Sequence, residues 1–235
     1  MKSEGDCGVH KKTVVALIDS GINTELSGLQ QNIKKSFSLH IDNMGYIVAE
    51  ENASYVGEHG TAVAMIIKHF CPDVQFISIN IFQNSLFSDG RIMLCAIERA
   101  IEMKPDIIHM SLGTTKYRYK FQLNKLVKRA IKNNIIIVSA TNNDGIKSYP
   151  ADLKEVVGVK GSHSLDTEQC LYKDNFFYAP FGVKGIKDID RLSLNGACGT
   201  SMSAGYITGH LVAIKESRSI INYKELLEIL KENRT

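Results

Sequence analysis

The sequence predicts an α/β fold: a three-layer arrangement with a mostly parallel central sheet between helices. Three observations predict it. The strand candidates are continuous apolar runs rather than alternating ones, the pattern of strands buried on both faces. These runs alternate along the chain with segments whose apolar residues recur at i, i+3 and i+4, as in amphipathic helices. The length, 235 residues with 44% hydrophobic and 23% charged, is that of a globular chain able to bury a core without metal or disulfide staples.

Val14 to Ile18 is an apolar run ending at the turn signal Asp19-Ser20-Gly21. Ser36 to Ile41 and Tyr46 to Ala49 flank Asp42-Asn43-Met44-Gly45 and read as a hairpin. Gly60 to His69 carries Val63, Ile66, Ile67 and Phe70 at helical spacing, and Pro72 stops the helix. Val74 to Ile81 reads as a strand, and Ile92, Cys95, Ala96, Ala100 and Met103 line a helix. Asp106 to Met110 is a short strand, and Leu123, Leu126, Val127, Ala130 and Ile131 line another helix. Ile135 to Val138 and Val156 to Val159 are strands, followed by a loop-rich stretch to Ala197. A helix starts near Ser201, and Tyr223 to Leu230 forms the last one. With no linker, repeat or low-complexity tract, residues 1–235 read as one domain with its core at about 13–215.

Composition excludes several classes. The 28 Lys and Arg against 25 Asp and Glu leave +3, which gives no reason to expect a nucleic-acid partner. No apolar run reaches the roughly 18 residues of a membrane span, so no membrane partner is expected. Met1 to Lys12 is polar, without the apolar core of a secretory signal. The five cysteines (Cys7, Cys71, Cys95, Cys170, Cys198) are odd in number and scattered with no Cys-x-x-Cys pair, which reads as free thiols in a reducing compartment. The expected location is cytoplasmic. His10, His40, His69, His109, His163 and His210 show no ligand spacing, so no metal and no cofactor are expected.

In such sheets ligands sit beyond the carboxyl ends of the strands. Asp19, the Ser111-Leu112-Gly113 turn and the loop Thr141-Asn142-Asn143-Asp144-Gly145 lie there. Three segments carry chemistry: Val15-Ala-Leu-Ile-Asp19-Ser-Gly21, Gly57-Glu-His59-Gly60-Thr61 and Gly199-Thr200-Ser201-Met202-Ser203-Ala204. They set a carboxylate at a strand end, a histidine where one helix begins and a serine where another begins. A serine hydroxyl needs an adjacent base to attack, and a helix N-terminus offers unpaired N–H groups to a developing anion.

In this order, these segments resemble the three catalytic motifs of the subtilases, the subtilisin-like serine proteases. Asp106-Ile-Ile-His-Met-Ser-Leu-Gly113 resembles the family's substrate-binding strand and turn, and Val138-Ser-Ala-Thr-Asn-Asn143-Asp-Gly145 its oxyanion-asparagine loop. Tyr149-Pro150-Ala151, Val156-Val157-Gly158-Val159 and Ala179-Pro180 fit the intervening stretches, and the likeness runs from about 13 to 215. It implies a subtilisin-like fold and a serine endopeptidase acting through an acyl-enzyme, with a peptide or protein substrate bound in extended form. Asp19, His59 and Ser201 would be the triad, and Asn143 the oxyanion donor. Ser111, Leu112, Gly113, Ala140, Thr141, Asn142, Asp144 and Ser148 would line the substrate, with Ser148 near the floor of a shallow primary pocket and Asp144 favouring a basic residue.

Some positions depart from the family. Ala62 stands where a second histidine is common, Asn142 where a glycine precedes the oxyanion asparagine, and Gly205 and Tyr206 where proline and histidine follow the serine. The calcium-binding loop after the histidine helix is missing, and 34 residues follow Ser201. The resemblance implies an intracellular processing enzyme, for example one removing leader peptides, with no propeptide recognised. Two other readings stay open: a catalytically weak or inactive peptide-binding protein on the same scaffold, and an unrelated α/β ligand-binding protein.

Overall fold

The computed structural model describes residues 12–25, 28–51, 57–82, 88–186, 189, 197–218 and 222–232. Nine strands form one sheet: β1 (Val14–Asp19), β2 (Ile33–Ile41), β3 (Ile47–Glu51), β4 (Gln75–Asn80), β5 (Ile107–Met110), β6 (Ile136–Ala140), β7 (Val157–Ser162), β8 (Leu171–Lys173) and β9 (Phe176–Pro180). Their spatial order is β3-β2-β4-β1-β5-β6-β7-β9-β8. The pairings from β2 through β9 are parallel, and the two edge strands, β3 and β8, pair antiparallel.

Alternation along the strands builds two cores, because successive side chains point to opposite faces. Val15, Leu17, Ile136, Val138, Val157 and Val159 face one side, where α1 (His59–Phe70), α4 (Thr200–Ser217) and α5 (Tyr223–Glu232) pack. Ala16, Ile18, Ile77, Ile79, Ile108 and Ile137 face the other, under α2 (Gly90–Glu102) and α3 (Lys120–Lys132). Sheet between helices on both sides is the three-layer arrangement expected. Helix α4 is the most enclosed: Met202 through Gly209 are all buried, so it runs through the interior rather than over it.

The stretch read as loop-rich contains the hairpin β8–β9, and β9 adds a parallel strand beside β7. Its turn is Asp174-Asn175, both at positive φ (52° and 64°), the geometry of a type I′ turn. Asp and Asn tolerate that region without glycine, so the turn lacks the Asn-Gly signature that announces such hairpins. Strand β8 is three residues long, with Leu171 and Lys173 exposed, too short for a pattern to show. Cys7 and His10 lie outside the described residues.

β1 lies between β4 and β5 at the centre of the sheet. The chain leaves β1 toward β2, β3 and β4 on one side and then crosses to β5 and β6 on the other. The order reverses there, making it the switch point at which α/β sheets open a crevice. Parallel register brings Ile18 beside Met110, and Met110 beside Ser139. Asp19, Ser111 and the Thr141–Asn143 loop therefore emerge along one edge of the sheet.

Candidate active site

Asp19 ends β1 fully buried. Its Oδ1 accepts the Ser20 backbone N–H at 2.6 Å and lies 2.8 Å from His59 Nδ1; Oδ2 lies 3.1 Å from the same nitrogen. A carboxylate only accepts, so Nδ1 carries the proton and Nε2 keeps a lone pair. His59 reaches Asp19 because α1 starts against the turn after β1. The Gly60 N–H donates to Ser20 Oγ at 3.0 Å, and Thr61 Oγ1 accepts the Asn23 N–H at 2.9 Å. A β-carbon on Gly60 would stand 2.3 Å from the Gly21 carbonyl oxygen and 3.1 Å from Asp19 Oδ1. The glycine after the histidine is what this approach requires.

Ser201 is the second residue of α4 and half-buried. Its hydroxyl donates to the Ser111 carbonyl oxygen at 3.0 Å. The helix begins at Gly199, whose φ of 125° other residues rarely adopt, and which donates to the Phe181 carbonyl at 2.6 Å. In this first turn the Met202 N–H bonds the Gly199 carbonyl at 3.1 Å, while helix geometry gives the Ser201 N–H no intrahelical acceptor.

Asn143 faces that same helix start. Its Oδ1 accepts the Thr200 N–H at 2.9 Å and lies 3.0 Å from Thr200 Oγ1. Because a backbone N–H can only donate, the atom turned toward Thr200 is the oxygen, and Nδ2 keeps both protons. Thr200 Oγ1 also donates to the Thr141 carbonyl at 2.6 Å, tying loop to helix. In the sequence Thr200 stands only as one residue of the serine segment, with no role of its own.

The remaining expected positions gather around this edge. Leu112 is half-buried and Gly113 exposed. Next to them, Thr114 exchanges N–H and carbonyl with Tyr149 at 2.8 and 2.9 Å, so one side of this segment is already paired. Buried Ser148 accepts the Asn142 N–H on Oγ at 3.1 Å and donates its own N–H to Asp152 Oδ2 at 2.8 Å. A β-carbon on Gly113 would come within 3.7 Å of Ser148 Cβ, so the two segments approach closely. Ala140 is buried, Thr141 donates from its backbone to the Val159 carbonyl at 2.9 Å, and Asp144 is exposed with its N–H on Asn142 Oδ1 at 3.2 Å.

Electrostatics follow from burial. Burial drives the Asp19 pKa up, but charge and hydrogen bonding from His59, helped by the Ser111 hydroxyl and the Ser20 N–H, carry it below the usual value. Burial drives His59 down, and Asp19 more than reverses this, leaving its pKa raised. At neutral pH the pair is a carboxylate beside an imidazole of heightened basicity.

Residues 10–179 match the subtilase family, peptidase family S8. This chain is a subtilase. It is 29% identical over 230 residues to the "Major intracellular serine protease" of Bacillus subtilis (strain 168), covering 88% of this chain and 70% of that one. Among solved structures it is similar to the nisin leader peptidase NisP from Lactococcus lactis, at a TM-score of 0.71 and 20% identity, with 95% and 83% of the two chains covered. The epidermin leader peptide processing serine protease EpiP from Staphylococcus aureus follows at a TM-score of 0.70 and 18% identity, covering 94% and 69%. These likenesses show the fold as subtilisin-like and the enzyme class as serine-type peptidase.

The departures of this subtilase have packing roles. A β-carbon on Gly205 would meet Ile66 Cγ2 at 3.3 Å and Val63 Cγ1 at 3.6 Å, so α4 lies close on α1 there. Tyr206 is fully buried; its hydroxyl accepts the Lys184 N–H at 3.2 Å, and its ring meets Phe70 edge-on. Ala62 is buried in the same core. Among the described cysteines, Cys71 and Cys170 are buried, Cys95 is partly buried and Cys198 is exposed. Among the described residues, no group of three or more His, Cys, Asp or Glu side chains is arranged to hold a metal. Exposed His69 pairs with Glu168 at 3.3 Å. One of the histidines without ligand spacing, His109, is fully buried and lies beside Ser111.

Proposed function

We propose that this subtilase is an endopeptidase in which Ser201 attacks the scissile carbonyl while His59 takes its proton. The observation that carries the reading is the Asp19–His59 pair at 2.8 Å, which fixes Nδ1 as the protonated nitrogen and makes Nε2 the base. For attack, the Ser201 hydroxyl turns from the Ser111 carbonyl to His59 Nε2. The oxygen then bonds to the carbonyl carbon, and the displaced electron pair rests on the former carbonyl oxygen. The Nδ2 of Asn143 and the backbone N–H of Ser201 stabilise that charge. Imidazolium His59 next gives its proton to the leaving amine as the peptide bond breaks, and the acyl-enzyme forms. Water, deprotonated by His59, completes hydrolysis. Substrate lies extended along Ser111–Gly113 with its primary side chain toward Ala140, Thr141, Asn142, Asp144 and Ser148.

A processing role inside the cell, including leader-peptide removal, is supported by the name of the Bacillus relative and the names of the two leader peptidases. A second reading, peptide binding without cleavage, is favoured by the Ser201 hydroxyl bonding to Ser111. A fluorophosphonate probe separates them: the parent is labelled and Ser201→Ala is not. A folded parent that stays unlabelled refutes the peptidase reading. Cleavage mapping on leader-bearing precursor peptides tests the substrate class, and loss of preference for basic residues in Asp144→Ala tests the pocket role of that carboxylate.

A further inference from the structure

His109 is the penultimate residue of β5 and its side chain is fully buried, yet both ring nitrogens are bonded. Nδ1 lies 2.8 Å from Thr208 Oγ1, and Nε2 lies 3.0 Å from Ser111 Oγ. Thr208 is on α4, two turns past Ser201 on the same helix. Ser111 touches the site twice, accepting the Ser201 hydroxyl on its carbonyl and lowering the Asp19 pKa through its own hydroxyl. The charged groups acting on His109 are Asp19 and His59.

A neutral imidazole has one donor and one acceptor, so one of the two hydroxyls must give a proton and the other receive one. The neighbouring carboxylate decides the direction. Asp19 can only accept, which turns the Ser111 proton toward it. Ser111 Oγ then receives Nε2–H, and Thr208 gives its proton to Nδ1. Burial keeps the ring neutral at physiological pH, with its pKa pushed down to about 4. Hydrogen bonds of 2.8 and 3.0 Å thus link α4 through Thr208 and His109 to Ser111, whose hydroxyl in turn favours the charged form of Asp19.

We infer that His109 is a positioning residue of the peptidase site, a neutral imidazole that fixes the direction of the Ser111 hydroxyl and so supports Asp19 from the side opposite catalysis. The inference rests on the triad reading above. The informative variant is Thr208→Val, which touches neither Asp19 nor His59. Without the Thr208 proton, the His109 tautomer that accepts from Ser111 is no longer disfavoured, and Asp19 loses a donor. A carboxylate with one donor fewer gives more of its charge to His59.

The experiment compares the parent, Thr208→Val and Thr208→Ser by steady-state kinetics across pH. For Thr208→Val, kcat is expected to fall roughly tenfold, the loss of a weakened bond to a charged group, with KM within about twofold. The acid limb of kcat/KM is expected to move to higher pH, and Thr208→Ser to restore both. Parental kcat and acid limb in folded Thr208→Val overturn the inference, as does a Thr208→Ser variant impaired equally, which would make the site one of packing alone. Fluorophosphonate labelling of the parent tests the triad reading separately. If the parent lacks activity, NMR titration of His59 in parent and Thr208→Val still decides: a raised His59 pKa supports the inference, and an unchanged one overturns it.

Discussion

Thr200 presents its backbone N–H and its hydroxyl to Oδ1 of Asn143, at 2.9 and 3.0 Å. The first residue of α4 therefore orients the amide whose other end carries the two protons proposed to meet the oxyanion. Asn143→Ala is expected to lower kcat by roughly 10²–10³, the range found when subtilisin loses its oxyanion-binding amide, with KM little changed. Thr200→Val keeps the N–H but removes the hydroxyl, which is shared with the Thr141 carbonyl. Its effect should be smaller, roughly tenfold or less, with Thr200→Ser close to the parent. Steady-state kinetics on a peptide substrate checks all three.

The Asp19–His59 pair sets the pH dependence. The raised His59 pKa keeps the base protonated to higher pH than a free imidazole, so the acid limb of kcat/KM should lie above the ordinary value of about 6.5. In Asp19→Asn the limb should move down and kcat should fall by roughly 10⁴, because the asparagine no longer enforces the tautomer. A pH–rate profile of both proteins measures this. An acid limb at or below 6.5 in the parent contradicts the geometry.

Stability should fall in acid chiefly because His109 is buried. His109 has a folded pKa near 4, below its unfolded value near 6.5. A depressed pKa contributes stability that is fully present above the unfolded value and is lost as pH falls toward the folded one. The window is pH 6.5 to 4, and the contribution at stake is at most roughly 3 kcal/mol. Asp19, also depressed, adds its own loss at lower pH, as the medium approaches its folded pKa. Urea midpoints at pH 7, 5.5 and 4.5 should fall more steeply in the parent than in His109→Gln, whatever the variant's absolute stability.

Two glycines should respond oppositely to alanine. At Gly60 the new β-carbon would meet a backbone oxygen at 2.3 Å, so α1 must shift away from Asp19, at a cost of several kcal/mol and most of the activity. At Gly205 the nearest atom is Ile66 Cγ2 at 3.3 Å, the end of a side chain that can give by a few tenths of an ångström. The helix gain of about 0.5–1 kcal/mol offsets that displacement, so Gly205→Ala should stay within about 1 kcal/mol of the parent. Thermal or chemical unfolding distinguishes them.

The sequence by itself determined the architecture, and it singled out the positions proposed to carry the chemistry. Apolar strand runs and 3.6-residue helical spacing are local signals, and each element carrying Asp19, His59, Asn143 or Ser201 was legible for that reason. The β8–β9 hairpin was not, because its turn uses Asp174 and Asn175 at positive φ without glycine and β8 is only three residues long. Only the tertiary structure decided how these residues meet. Thr200 and His109 look like an ordinary threonine and a spare histidine until α4 passes under the sheet edge. Their roles depend on contacts between residues 57 and 99 positions apart, Thr200 with Asn143 and His109 with Thr208, and no local periodicity encodes the direction of a hydrogen bond across such a distance.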